Sequence, residues 1–462
     1  MKKTVCELFA GVGGFRCGLN HIKTLEDLKK KEEWDTVWFS QWEPSEKKTQ
    51  YAHDCYVNRF GSSLDLAGED TTNVNIEDVD KKKIPDFNLL VGGFPCQDYS
   101  VASTLSTSKG LEGKKGILWW SIREILEAKK PPFVLLENVD RLLKSPASQR
   151  GRDFGIILAC FRDEGYTVEW RVLNAADYGY QQRRRRTFIF AYKNDTNYNQ
   201  TIQNKIKYDA KASIENKRRS MTKALLNEGF FAETFPVYGV DANKLMIETL
   251  PEGLGELSGS FSFTFENTGI MKDGVVYTFK TIPEYNGKQI TLGDVMETEA
   301  VDEQYFIPEE RVYYTTHDVT HSDETMGKLP KADRQTWQYI KGGKKLLRKA
   351  STGHEYVFSE GAISLLDSPD KPARTMLTSE GSFSRSTHIV EDRVTGRIRL
   401  LTPTEAERIQ GFPTDHTKYC LVDGKQVEMP DRKRRFMMGN ALVVNLVEDM
   451  EKTLSRIFEA EV

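Results

Sequence analysis

The chain has 462 residues, of which 39% are hydrophobic and 29% charged, and its net charge is only −3. This length exceeds one average domain, and this mixture excludes a disordered chain; the near-zero balance excludes a global basic field. No run reaches about 18 apolar residues, Met1-Lys2-Lys3-Thr4-Val5-Cys6 has no leader pattern, and six cysteines without repeated CxxC spacing argue against a membrane span, a disulfide scaffold and a zinc module.

Residues 1 to about 192 alternate apolar runs with helical patterns. Strands are predicted at Thr4–Phe9, Val37–Ser40, Leu89–Val91, Phe133–Leu136, Thr167–Val172 and Thr187–Tyr192. Before the fourth, Leu118, Ile122, Ile125 and Leu126 form one helical stripe that ends at Pro131-Pro132. This rhythm predicts an α/β fold with a mostly parallel sheet covered on both faces. The polar, glycine-punctuated Ser103–Gly116 reads as a loop over a site. After about Asn194 the pattern becomes irregular: short β-type runs at Phe261–Phe265 and Val275–Phe279 predict a smaller, sheet-containing domain. Helical periodicity returns at Thr402–Gln410 and Ala441–Phe458, the latter expected to pack back on the first domain.

Charge is local rather than global. Lys331 to Ala350 carries seven basic residues against Asp333 alone, and Arg183–Arg186 and Arg432–Arg435 add two basic runs. Such clusters hold phosphates through their near field, although a solvated surface would explain any one of them. Trp337, Tyr339 and Lys341–Lys349 are expected to form part of a nucleic-acid surface; the alternative is a basic loop that touches only backbone.

Phe9-Ala10-Gly11-Val12-Gly13-Gly14 follows a predicted strand and precedes a helix, so backbone there is open to a ligand. Arg16 breaks the GxGxxG spacing, which disfavours a dinucleotide pyrophosphate and favours a nucleoside cofactor without phosphates. An ordinary strand–helix turn would also carry these glycines. Trp42, at the next strand's end, can stack on adenine, and Glu43 can accept from ribose hydroxyls; Trp42 could equally be core.

Gly93-Phe94-Pro95-Cys96-Gln97 and Glu137-Asn138-Val139 each close an apolar run. If those runs are neighbouring parallel strands, a thiol and a carboxyl lie together at the sheet's carboxyl edge, where such sheets bind ligands. A free cysteine is usually a small core hydrophobe. Here a proline ends the run before it, and an acid follows four apolar residues at the matching edge. A soft nucleophile beside a neutral acid suits attack on an electron-poor ring carbon with proton donation to a ring nitrogen. Gln182, Arg184 and Arg186 alternate onto one face of an extended segment, where guanidinium forks can hold phosphate or a pyrimidine carbonyl.

With these motifs in order, the chain closely resembles the DNA (cytosine-5) methyltransferases of bacterial restriction-modification systems. The resemblance rests on Phe9, Gly11 and Gly13; on Pro95-Cys96; on Glu137-Asn138-Val139; on Gln182, Arg184 and Arg186; and on Gly439-Asn440-Ala441 before the last helix. Gln410–Pro413 and Arg374–Thr378 look like family segments that buttress the small domain. The departures are Gln41 in place of an acid before Trp42, Asn75-Ile76 in place of Asp-Ile, Gln181 in place of proline, and Ala441 in place of serine.

The resemblance implies a Rossmann-like methyltransferase sheet with a smaller, irregular target-recognition domain. The expected division is 1–193 catalytic and cofactor-binding, 194–370 target-recognition, and 371–462 buttress and returning helix. It implies S-adenosylmethionine as cofactor, S-adenosylhomocysteine as product and no metal. The cofactor is expected at Phe9, Gly11, Gly13, Gly14, Trp42, Glu43, Asn75, Ile76, Pro95, Asn440 and Ala441. Cys96 is the implied nucleophile and Glu137 the acid; Asn138 fixes the Glu137 loop, and Arg184 and Arg186 orient a cytosine flipped from duplex DNA. A bacterial, cytoplasmic monomer that joins the nucleoid on DNA is expected; whether a cognate restriction endonuclease is encoded nearby is left open by the sequence. A tRNA cytosine methyltransferase and a catalytically silent DNA-binding module are the competing readings, opposed by the large extra domain and by intact Cys96, Glu137 and Arg184 respectively.

Overall fold

The computed structural model describes residues 1–46, 48–94, 117–238, 242–316, 319–320, 322, 325–350 and 353–461. The predicted loop at Ser103–Gly116 lies outside these residues.

All six strands predicted in the first part are present: β1 (Thr4–Leu8), β2 (Asp35–Ser40), β3 (Leu89–Gly93), β4 (Phe133–Val139), β5 (Tyr166–Asn174) and β6 (Arg185–Lys193). They form one sheet in the order β2-β1-β3-β4-β6-β5. The pairs β1–β2, β1–β3 and β3–β4 are parallel, while β6 runs antiparallel to both β4 and β5. Five of the six core strands therefore point one way, and β6 inserts between β4 and β5 against them.

Alternate side chains feed two apolar layers, as expected of a sheet buried on both faces. Val5, Leu89, Val91, Phe133, Leu135 and Phe190 join the layer containing the C-terminal helix. Cys6, Leu90, Val134, Leu136, Ile189 and Ala191 face the other layer, with Ile122, Ile125 and Leu126 of the helix at Ile117–Lys129 and Phe154 and Phe161 of the helix at Arg152–Asp163. The last helix, Val444–Ala460, packs so closely on the helix at Gly14–Leu19 that a Cβ on Gly18 would collide with the Val447 side chain.

The boundary expected at residue 194 is not a sheet boundary. The chain makes a short ribbon of β7 (Val237–Tyr238) with β11 (Ile282–Pro283), and between them β8 (Met246–Thr249), β9 (Thr268–Lys272) and β10 (Val275–Phe279) continue the main sheet. Strand β9 pairs antiparallel with β5, and the order runs on as β9-β10-β8. The physical reason is the free edge of β5, which β9 covers with main-chain hydrogen bonds.

Val275–Phe279 is thus a strand, whereas Phe261–Phe265 is not. Its alternating phenylalanines anchor an irregular stretch instead: Phe265 meets Phe154 and Trp170 edge-on, and Phe263 N–H donates to Arg150 O. Beyond the sheet, the chain adds three hairpins: β12 (Lys344–Lys349) with β13 (Glu355–Glu360), β14 (Ile389–Glu391) with β15 (Ile398–Leu400), and β16 (Tyr419–Val422) with β17 (Lys425–Glu428).

Candidate active site

Strands β3 and β4 are parallel neighbours in which Gly93 is registered with Glu137. Pro95 and Cys96 lie outside the described residues. The main chain leading to them is nevertheless held: the Asn138 side-chain amide donates to Phe94 O at 2.9 Å, and Asn138 Oδ1 accepts from Val139 N–H at 2.8 Å. Asn138 was expected to steady the Glu137 loop. Its reach goes to the other strand, gripping the last described residue before Pro95.

Glu137 is buried, and its carboxylate meets Arg186 at 2.8 Å. Burial raises its pKa above the usual carboxylate value, opposed by Arg186 and Arg184. The carboxyl therefore holds a proton more strongly than an exposed glutamate does, with a cation within reach.

Arg184 and Arg186 do different things. Arg186 touches the acid. Arg184 is fully buried, with Nη1 donating to Met376 O and Nη2 to Gly439 O, both at 2.9 Å. Gln182 accepts from Met376 N–H at 3.0 Å and donates to Ile409 O at 3.3 Å, and Arg183 N–H donates to Ala373 O. The segment between β5 and β6 is a clamp on the C-terminal part of the chain. Among the contacts described, Arg184 serves that clamp rather than an open base-binding face.

The glycine turn stands on the far side of β1. Gly11 and Gly13 have φ of +57° and +88°, and Phe9 has φ of +53°. A Cβ on Gly11 would meet nothing within 4 Å, so the space beside that backbone is open. Gln41, a departure at the sequence level, accepts from Gly11 N–H at 2.7 Å and so shapes the turn directly. Trp42 is 38% exposed at the end of β2, where a ring can be stacked. Glu43 is raised by burial and by Glu46, which favours a group that shares its hydrogen bonds.

Asn75 caps a short turn, accepting from Glu77 N–H at 3.3 Å, and Ile76 is buried. Gln41 N–H donates to Thr72 O, tying that loop to β2. Gly14 starts its helix against Leu442, and Asn440 ends the helix Asp431–Asn440, with Ala441 following. A Cβ on Gly439 would collide with the backbone of Leu377 and Thr378, which explains glycine there.

Sequence reasoning missed His416. It is buried, its Nε2 lies 2.7 Å from Val12 O, and burial lowers its pKa to about 3, so the neutral ring donates to the glycine turn. A lone histidine in a polar stretch carried no signal of this. Three residues of the expected nucleic-acid surface are interior: Trp337 and Lys344 are buried, and Lys341 donates to Thr387 O at 2.8 Å beside Asp367. They are drawn inward because each finds a partner there. Among the described residues no group of three His, Cys, Asp or Glu side chains could hold a metal ion, and no helix is long and apolar enough to cross a membrane.

Comparison with known proteins gives a consistent result. The sequence profile of the C-5 cytosine-specific DNA methylases matches residues 3–253 and 259–456. The type II methyltransferase M.Sau3AI of Staphylococcus aureus is 41% identical over 457 residues, covering 99% of this chain and 96% of that protein. The type II methyltransferase M.HhaI of Haemophilus parahaemolyticus is 31% identical over 191 residues, 41% of this chain and 49% of that protein. The crystal structure of the S. pombe Dnmt2 methyltransferase shares the fold, with a TM-score of 0.50 at 13% identity, covering 99% of this chain and 98% of that one.

Proposed function

The chain belongs to the C-5 cytosine-specific DNA methylases, and on that premise we propose that it methylates C5 of a cytosine flipped out of duplex DNA, through a covalent adduct on Cys96. The observation that carries this reading is the register of Gly93 with Glu137. Cys96 is three residues beyond Gly93, and three residues of chain span at most about 11 Å. That span is short enough for a thiol at position 96 to act beside the acid, as the proposal requires.

C5 of cytosine is a poor nucleophile. Attack of the Cys96 thiolate on C6, with the Glu137 proton passing to N3, breaks the C5–C6 double bond and makes C5 electron-rich. Once C5 is methylated, loss of its proton to water lets the electron pair re-form the double bond and expel the thiolate, and N3 returns its proton to the Glu137 carboxylate. Arg186 stabilises the Glu137 carboxylate after its proton has left. Asn138 holds Phe94, and with it the approach to Pro95 and Cys96.

S-adenosylmethionine, when bound, supplies the electrophilic methyl group. The open backbone at Gly11, the exposed Trp42 and the partly desolvated Glu43 fit a nucleoside with free hydroxyls and no phosphates. Phe9, Gly13, Gly14, Asn75, Ile76, Pro95, Asn440 and Ala441 would complete its surroundings. None of this chemistry is reachable in a stacked duplex, so the base must be extruded, at about a few kcal/mol. The duplex would lie between the sheet's carboxyl edge and the part of residues 194–370 that lies outside the main sheet.

The test is incubation with cofactor and duplex containing 5-fluorocytosine, from which the C5 substituent cannot leave as a proton. A denaturant-stable adduct is expected with the wild-type protein and none with Cys96→Ser. Absence of an adduct at every cytosine, with cofactor bound, would refute the reading.

A further inference from the structure

The ribbon β12–β13 is mounted firmly at its base and left bare on one face. Arg385 donates to Gly342 O at 3.0 Å and also to Gly361 O, joining the two strands at the base of the ribbon. Ile363 N–H donates to Lys341 O, and Lys344 donates to Gly342 O at 2.9 Å. Its inner face is partly covered near the base: Leu346 and Phe358 are half-buried and line a cavity of about 330 Å³ with Tyr339, Phe383 and Arg385, and the Arg348 guanidinium lies 3.7 Å over the Phe358 ring.

The outer face is different. Leu347 and Val357 are directly paired across the ribbon and are 70% and 63% exposed. Strand alternation puts Lys345 and Lys349 on the same face, opposite Ser359 and Glu355. Two large apolar side chains side by side in water, on a rigid support, mark a contact surface rather than a solvated edge.

Resting on the function proposed above, we infer that this outer face reads base edges in the major groove beside the target cytosine. Leu347 and Val357 contact a pyrimidine C5 methyl group, and Lys345 and Lys349 hold the flanking phosphates. The major groove admits a two-stranded ribbon, and apolar side chains there distinguish thymine by its methyl group. The outer face carries the two cations Lys345 and Lys349 against Glu355 alone, an excess of positive charge that suits a polyanion. Glu355 selects among polyanion surfaces. A carboxylate is repelled by phosphates but accepts from a cytosine amino group, so the face suits base edges flanked by backbone, not backbone alone.

The experiment compares the wild-type protein with Leu347→Thr/Val357→Thr and Lys345→Ala/Lys349→Ala, using threonine to keep strand propensity. Methylated sites are sequenced in a host genome, and kcat/KM and salt dependence are measured on a duplex carrying the preferred site. Thermal unfolding and cofactor binding check that each variant is folded. The threonine pair is expected to lose about tenfold in kcat/KM and to relax selection at one or more base pairs of the site. The lysine pair is expected to weaken binding to all sequences alike and to lower the salt slope by about two. A threonine pair with wild-type kcat/KM and an unchanged site profile overturns the inference. So does loss of self-association with methylation intact, which would assign the face to a second copy of the chain. Wild-type methylation run alongside separates these outcomes from failure of the proposed function, which would abolish every signal.

Discussion

Arg186 Nε lies 2.8 Å from Glu137 Oε1, reaching diagonally across the antiparallel pair of β4 and β6, where Arg186 is registered with Val139. Burial raises the Glu137 pKa and the guanidinium opposes it, so the acid's proton affinity is a balance of two large effects. In the proposed reaction this balance sets how readily the carboxyl takes up and releases a proton: burial strengthens its hold, and Arg186 weakens it.

Replacing Glu137 with glutamine removes the proton but keeps the shape. We expect kcat to fall by about 10²–10⁴-fold, with DNA and cofactor affinity within a few-fold of wild type. The raised pKa fixes the sign of the pH dependence. The proton-bearing form dominates below that pKa, so the rate falls as pH rises through it, while ionisation of the Cys96 thiol pulls the other way. The pH–kcat profile of the wild-type protein should therefore be bell-shaped, and Glu137→Gln should abolish its descending limb. An unchanged limb in the variant would remove Glu137 from the chemistry.

Arg186→Met should move that limb rather than erase it. Removing the cation leaves desolvation unopposed by its main counterweight, so the Glu137 pKa rises further and the descending limb shifts to higher pH. The maximal rate should drop as well, because the carboxylate left after proton transfer has lost its partner. A limb that shifts to lower pH would contradict the pairing.

Arg184 should behave as a structural residue. Its guanidinium satisfies Met376 O and Gly439 O from a fully buried position, and Arg184→Met would leave both carbonyls without that donor. A loss of about 3 kcal/mol is expected, read as a lower thermal transition. Cofactor affinity should fall with it, because Gly439 adjoins Asn440 and Ala441. Arg186→Met, with its guanidinium at the acid, should lose far less stability. Equal thermal transitions in the two variants would refute this division of roles.

The contrast between these arginines shows where sequence reasoning stopped. Alternation predicts Gln182, Arg184 and Arg186 on a common side, but period two says nothing about what each side chain meets, and Arg184 and Arg186 meet different partners. The partners of Arg184 come from residues 376 and 439, which no local pattern connects to it. Strands β1 to β6 were legible because each is a run of apolar and β-type residues, alternating with Glu169 and Arg171 in β5. Phe261–Phe265 has the same alternation and yet is no strand, because its rings pack on Phe154 and Trp170 and its backbone bond to Arg150 O does not continue into a ladder. The sheet's extension through β9 depends on the free edge of β5, a property of the assembled sheet rather than of any segment.

Glu7 gives a prediction about stability that is independent of catalysis. It sits on β1, fully buried; Tyr56 donates to Oε2 at 2.9 Å, and Oε1 has no hydrogen-bond partner among the described residues. Burial raises its pKa to about 7, against about 4.3 in an unfolded chain. Between those values the folded state binds more protons than the unfolded one. The stabilisation is therefore fully present below about pH 4.3 and is lost as pH rises through about 7, by up to about 4 kcal/mol. His416 has the opposite sign: its pKa of about 3 lies below the unfolded value of about 6.5, so stability is lost as pH falls below that value. The two slopes oppose each other, and Glu7→Gln removes one of them. Thermal transitions measured from pH 5.5 to 8 should decline less with rising pH in Glu7→Gln than in the wild-type protein. Parallel curves for the two proteins would mean that Glu7 is already ionised in the folded state at pH 5.5, and that the Arg16 guanidinium offsets its burial.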